Sequence, residues 1–153
     1  MTDRELKNIE GRWFLQYSGC PLWLRGNVDT ISFNYELEHK GEELVLKERI
    51  EFRKNGKMKM KRGFEIPSDD SEFLQWKGIG MNKFFRNKSK ILHYEEALLV
   101  MWFEKTVSTP ESIDVLTRQK NLNANESIGI IKKLEEIPSV NKHLSQIESV
   151  NIL

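Results

Sequence analysis

From Gly11 to about Arg118, apolar and polar residues alternate with period two, and turn-forming residues interrupt the alternation about every eight to twelve residues. Successive side chains of a strand point to opposite faces, so this pattern predicts a series of strands, each with one dry and one wet face. Ile31, Phe33, Tyr35 and Leu37 share a face against Ser32, Asn34, Glu36 and Glu38. Beyond a turn at His39-Lys40-Gly41-Glu42, the residues Leu44, Leu46, Glu48, Ile50 and Phe52 line a face against Lys47, Arg49, Glu51 and Arg53. Met58, Met60, Arg62, Phe64 and Ile66 then alternate with Lys57, Lys59 and Lys61. Glu48 and Arg62 are the charged members of otherwise apolar rows.

Lys54-Asn55-Gly56 suits a three-residue hairpin loop with a bulge at the glycine. That loop sets Arg53 against Lys57, Phe52 against Met58, Ile50 against Met60 and Glu48 against Arg62, and it keeps both apolar rows on one face. A two-residue Asn-Gly turn would split them between faces, so the pattern selects the longer loop. Further strands are expected over Gly11–Ser18, around Phe73 to Lys77, near Phe84-Phe85 and over Ser112–Arg118. Ile91 to Lys105 reads as one long strand or as two sharing a bend near Glu95-Glu96. Within it, Ala97–Phe103 is far short of the roughly 20 apolar residues that span a bilayer, and reads as a buried strand.

After Arg118 the period changes. Asn123 and Glu126 form a capping box, and Ile130, Ile131, Leu134 and Ile137 recur at helical spacing until Pro138. About eight antiparallel strands followed by one helix imply an all-β chain with a C-terminal helix. Such a sheet escapes exposed edges by closing into an up-and-down β-barrel. The expected layout is one domain over residues 1–153: barrel about 11–118, helix about 123–137, tail 138–153.

Lys and Arg total 24 against 23 Asp and Glu, a net charge of +1, so no global field draws in nucleic acid or an anionic membrane. The stripe Lys57, Lys59, Lys61 reads as a solvated outer face. Cys20 is the single cysteine, which excludes an internal disulfide and a cysteine metal cluster, and no neighbouring base activates it. The opening residues Met1–Lys7 are polar, without the apolar core of a secretory signal. A cytoplasmic location is expected, with a removed leader or lipoprotein anchor left open.

Gly11-Arg12-Trp13 at the entry to the first strand is similar to the glycine-x-tryptophan signature of lipocalins. Leu116-Thr117-Arg118 at the end of the last strand resembles the lipocalin arginine motif. The resemblance implies that Arg118 lies across Trp13 and plugs the closed end of the barrel. It also implies that the first loop, with Pro21, Leu22, Trp23 and Leu24, is the lid over the open end. Where many lipocalins carry Thr-Asp-Tyr, this chain has Ile91-Leu92-His93-Tyr94-Glu95-Glu96, and the usual disulfide is missing. A divergent lipocalin, or another calycin such as a fatty-acid-binding-like barrel, fits this pattern.

If the apolar rows face inward, Phe33, Tyr35, Leu44, Leu46, Met58, Met60, Phe64 and Ile66 line the lumen and suit a lipid, a pigment or another hydrophobic metabolite. A barrel filled by its own side chains is the alternative. Arg62, held by Glu48, would clamp a ligand carboxylate; the alternatives are a structural ion pair, or a register that puts both in water. Trp23 and Leu24 shield a ligand, recruit a partner protein, or pair two copies as a homodimer. His93, Tyr94, Glu95 and Glu96 are the only cluster resembling acid–base machinery. Adjacent carboxylates on a strand point apart, so an isomerase or lyase reading rests on His93 or Tyr94 reaching the cavity. His39 and His143 fall at surface positions and complete no metal triad. The expectation is a non-enzymatic binder or transporter of a small hydrophobic ligand, without cofactor, metal, nucleic acid or membrane insertion.

Overall fold

The computed structural model describes residues 1–70, 72–80 and 86–153. The strands are β1 (Gly11–Ser18), β2 (Val28–Lys40), β3 (Glu43–Lys54), β4 (Lys57–Pro67), β5 (Leu74–Gly78), β6 (Arg86–Glu95), β7 (Leu98–Phe103) and β8 (Ser112–Thr117). Each pairs antiparallel with the next, and β1 pairs with both β8 and β2, which closes the barrel. Closure gives each of β1–β8 a partner strand on both sides. The strand expected near Phe84-Phe85 lies outside the described residues. Of the two readings of Ile91 to Lys105, the bend holds: β6 and β7 meet at a turn over Glu96-Ala97.

Behind the barrel lie α2 (Ala124–Glu135), α3 (Pro138–Asn141) and a short strand β9 (Glu148–Ser149) that pairs with Tyr17 and Ser18 of β1. Asn123 and Glu126 form the expected reciprocal cap on α2. Leu134 and Val140 bury the outer side chains Leu98, Val100, Ile113 and Val115. This explains why Ala97–Phe103 is apolar throughout: Leu99 and Met101 face the barrel interior while Leu98 and Val100 face the helices. Removing each such side chain from water stabilises the fold by roughly 1.5–3 kcal/mol.

The polar opening segment is a helix, α1 (Asp3–Ile9), capped reciprocally by Thr2 and Glu5. Its Leu6 and Ile9 are fully buried and stopper one end of the barrel. Trp13 stands on this floor and donates its indole N–H to the Ile9 carbonyl at 2.9 Å. The Arg118 guanidinium lies 3.6 Å from the centre of the Trp13 ring. The same group donates to the carbonyls of Arg12, Asn8 and Glu10 at 3.1, 3.2 and 2.8 Å. Gly11 adopts φ +106°, and a Cβ there would sit 2.8 Å from Arg118 Nη1, so the site requires glycine.

The β3–β4 hairpin departs from the expected register. Asn55 and Gly56 both take positive φ, 53° and 74°, and make a two-residue turn that pairs Lys54 with Lys57. Positive φ at both central positions matches the right-handed twist of the flanking strands, and Asn-Gly adopts it readily. Arg53 therefore faces Met58, Arg49 faces Arg62 and Glu48 faces Gly63. Lys61, Gly63 and Glu65 turn inward, whereas Met58, Met60, Arg62, Phe64 and Ile66 turn outward. Met58 is 63% and Met60 45% exposed. Lys40 covers the outer Phe64 ring at 3.6 Å. Turn chemistry overrode the matching of apolar rows because the interior of β4 is built from glycine and glutamate.

Two outcomes follow from these contacts. Arg118→Ala removes a charged hydrogen-bond hub and a cation–π contact, and should lower the unfolding free energy by about 2–4 kcal/mol in urea denaturation. An unchanged midpoint would show that the floor is held by other means. Dilute peroxide should oxidise Met58 and Met60 in the native protein well before Met101, as read by peptide mass spectrometry; equal protection of all three contradicts the outward register.

Candidate functional site

The wall of the barrel interior is apolar at both ends and acidic between them. At the mouth, the loop after β1 folds back through bonds from the Trp23 and Leu24 amides to the carbonyls of Cys20 and Pro21, at 3.1 and 3.2 Å. This turn drops Trp23 inside, 6% exposed, with ring centres 5.3 Å from Phe52 and 6.4 Å from Phe33. Lys61 reaches over the same indole at 5.7 Å, and burial pulls its ammonium below the ordinary lysine range. Burial likewise pushes the nearby Cys20 thiol up, away from reactivity.

Below the lid, β3, β4 and β8 each carry a buried carboxyl. Glu48 and Glu65 are diagonal inward neighbours across the β3–β4 ladder, 3% and 1% exposed. Asp114 enters from β8, and its Oδ1 accepts a hydrogen bond of 2.6 Å from the Ser18 hydroxyl. That hydroxyl in turn accepts the Cys20 amide at 3.0 Å, which ties the carboxyl to the first residue of the lid turn. Tyr35, buried from β2, feels all three acids, and its hydroxyl donates to the Met101 thioether at 3.6 Å. Trp76 projects from β5 into the space that Gly63 leaves open; a Cβ at Gly63 would lie 2.5 Å from its Cε2. The buried polar atoms of these groups meet one another: the Trp76 indole N–H and Glu65 face Glu48, and the Ser89 hydroxyl faces Glu65.

The electrostatics follow from this confinement. Burial, opposed by a hydrogen bond from Glu65 and reinforced by the Asp114 charge, moves Glu48 from 4.5 to about 7. Burial and the Glu48 charge push Glu65 well above the carboxylate range, so Glu65 keeps its proton and donates it toward Glu48. Burial also raises Asp114 from 3.8 to about 7, against the Ser18 hydrogen bond.

Of the residues singled out from the sequence, Phe33, Tyr35, Leu44, Leu46, Glu48 and Trp23 are brought to the interior. Met58, Met60, Arg62, Phe64 and Ile66 are not, because the hairpin register turns them out. Arg62 instead lines a cleft of about 500 Å³ with Arg12, Asn34 and Arg49, to which Tyr35 and Glu48 also contribute. Among the described residues Glu48 therefore forms no ion pair with an arginine, and it sits against Glu65. Trp23 is buried rather than offered as a surface patch. Tyr94 packs edge-on against Trp13 at the floor, 6.4 Å between ring centres, while His93 lies 3.5 Å from Glu95, which also binds Lys133. Gly11, Trp13 and Arg118 form the expected plug. Sequence reasoning missed Lys61, Glu65, Trp76, Ser89 and Asp114. For Asp114 a signal was present, since it shares its strand face with Leu116 and Arg118.

Glu48 and Asp114 hold protons in the folded protein that the unfolded chain releases near pH 4, so folding takes up protons between about pH 4 and 7. The associated stability is complete below that window and is lost as pH rises through 7, on the order of 3 kcal/mol per carboxyl. The melting temperature should fall between pH 5 and pH 8, and Glu48→Gln and Asp114→Asn should each flatten that fall. A wild-type melting temperature that rises toward pH 8 contradicts the assignment.

No family model and no curated protein sequence matches the chain. Solved structures do match its fold. Lobster apocrustacyanin A1 is 14% identical with a TM-score of 0.65, over 95% of this chain and 78% of that one. Apocrustacyanin C2 is 13% identical with a TM-score of 0.69, over 99% and 82% of the two chains. Apocrustacyanin C1 is 12% identical with a TM-score of 0.67, over the same shares. With its closed antiparallel barrel, C-terminal helix and Trp13–Arg118 floor, the chain has a lipocalin-like fold.

Proposed function

We propose that the protein binds a small hydrophobic molecule inside the barrel, as a carrier or sensor rather than as an enzyme. The observation that carries this reading is the way the mouth is shut. A loop side chain, Trp23, seals it against Phe33 and Phe52, while the opposite end is sealed by a capped helix and the Arg118 hub. A loop held by a few scattered hydrogen bonds opens more readily than a helical stopper. Beneath it, the burial of Glu48, Glu65 and Asp114, which raises the pKa of each, weighs against an interior built for stability alone. The apocrustacyanins of the same fold support the comparison at the level of architecture. Of the two residues on which an isomerase or lyase reading rests, His93 lies near Glu95, while Tyr94 joins the interior cluster at the floor, edge-on against Trp13.

The neutral probe N-phenyl-1-naphthylamine should be taken up at one site per chain, with a Kd on the order of 1 μM or tighter, and quench fluorescence from Trp23. Trp23→Ala should speed probe entry and exit in stopped-flow measurements. Absence of saturable uptake by both wild type and Trp23→Ala would overturn the proposal.

A further inference from the structure

The β3–β4 hairpin concentrates charge that the chain as a whole does not show. Residues 52–64 hold six cations, Arg53, Lys54, Lys57, Lys59, Lys61 and Arg62, and no acid, so against a net charge of +1 the remainder of the chain carries −5. β5 pairs with residues 63–67 of β4, which leaves residues 57–62 beyond that ladder, with β3 as their strand partner among the described residues. The tip therefore clears the barrel, and Lys57 and Lys59 on the inward row are as exposed as Met58 and Met60 on the outward one. The acids nearby are engaged: Asp29 lies 3.7 Å from Arg53, and Glu51, across from Met60, is 2.6 Å from Arg49 and 3.6 Å from Arg12. Among the described residues Lys54, Lys57, Lys59, Lys61 and Arg62 form no ion pair.

This tip belongs to the mouth of the barrel. The Asn55 amide donates to the Asn27 carbonyl of the lid loop at 2.9 Å, and the Asn27 side-chain amide donates to Asn55 Oδ1 at 3.2 Å. Lys61 reaches over the Trp23 indole, and the exposed Arg25 of the same loop adds a seventh cation. Apolar side chains are exposed at the same end. Of the six large apolar residues exposed among the described ones, Met58 and Met60 lie on the hairpin, Ile79 directly follows β5, and Val107 sits in the β7–β8 loop, while Ile128 and Leu153 belong to the C-terminal region. The Ile79 amide donates to the Arg62 carbonyl at 3.0 Å, which sets that side chain's backbone beside the basic hairpin.

A polyanion in water asks for cations alone. Cations interleaved with exposed apolar groups answer a surface that carries negative headgroups over hydrocarbon. We propose that the open end of the barrel docks on an anionic phospholipid bilayer, with the hairpin lysines and arginines on the headgroups and Met58, Met60, Ile79 and Val107 entering the interface. The protein then lies on the bilayer and does not cross it. A net charge near zero conceals this, because the compensating acids lie outside the hairpin and attraction to a charged surface falls off within a Debye length. Docking sets the Trp23 lid against lipid, the phase in which a hydrophobic ligand concentrates; that consequence rests on the binding reading above, whereas the docking itself does not.

Sedimentation with vesicles of phosphatidylcholine alone, or containing about 30% phosphatidylserine, tests this. The protein should bind the anionic vesicles at least about ten-fold tighter than the neutral ones, and lose most of that preference as salt rises from about 0.05 to 0.5 M. Lys57→Gln with Lys59→Gln should weaken binding by about ten-fold, whereas Lys132→Gln with Lys142→Gln, two exposed lysines behind the barrel, should leave it unchanged. Met58→Ser with Met60→Ser should weaken vesicle binding several-fold at constant charge and leave any retention on heparin unaltered. In the wild-type protein, anionic vesicles should also slow peroxide oxidation of Met58 and Met60, a readout that needs no variant. Equal affinity for both vesicles, binding indifferent to the hairpin substitutions, or methionines oxidised as fast with vesicles as without overturns the proposal. Heparin binding with no methionine effect on vesicles assigns the patch to a soluble polyanion and overturns it too. Uptake of N-phenyl-1-naphthylamine in vesicle-free solution reads the lumen separately: uptake without vesicle binding sinks the docking alone, and vesicle binding without uptake sinks the binding reading alone.

Discussion

The Arg118 guanidinium is the contact on which the rest of the barrel depends. It stacks on Trp13 and binds three carbonyls around the entry to β1, so the end of the last strand is fastened to the start of the first. β1 must hold β8 on one side and β2 on the other for the sheet to close. Fixing its first residues fixes both registers. The positive φ at Gly11 serves the same end, since it lets the chain turn from α1 into β1 without a side chain in the path of the guanidinium.

With that end secured, the interior can carry features that a marginal core could not. Three acids and a phenol are buried with few partners, and Glu48 and Asp114 accommodate this by holding protons near neutrality. The energetic burden falls in the middle of the barrel, while the floor and the helix-covered outer face of β6–β8 supply well-packed apolar area. Such local departures from a consistent core are typical of functional positions. Ser18 extends the link to the mouth, because its hydroxyl binds Asp114 and receives the first amide of the lid turn. Asp114 is thus linked through Ser18 to Cys20, whose carbonyl receives the Trp23 amide.

Legibility in the sequence varied from strand to strand for physical reasons. In β2 the alternation was unambiguous, because Phe33 and Tyr35 are large, apolar and flanked by polar residues, and they lie inside. In β8, Ile113 and Val115 compete with Leu116 for the apolar label, since both faces are covered; Asp114 then looks polar and outward although it is buried. In β4 the alternation pointed the wrong way. Its apolar row is the outer one, and its inner row holds Lys61, Gly63 and Glu65, which no hydrophobicity pattern marks as interior. The Asn55-Gly56 pair carried the better information there. The Thr2–Glu5 capping box likewise announced α1 in a segment read as merely polar.

By itself the sequence determined the number and direction of most strands, the capped C-terminal helix and the Gly11, Trp13 and Arg118 positions of the floor. These rest on local periodicity, local capping and short motifs, which neighbouring residues specify. Only the tertiary structure decided which face of β4 is inside, that Glu48 meets Glu65 rather than Arg62, and that Asp114 joins them from the far end of the chain. A shift of one residue in a hairpin exchanges every inward side chain for its outward neighbour. Which acids share an interior is likewise a property of strands brought together by closure, and no local pattern records it.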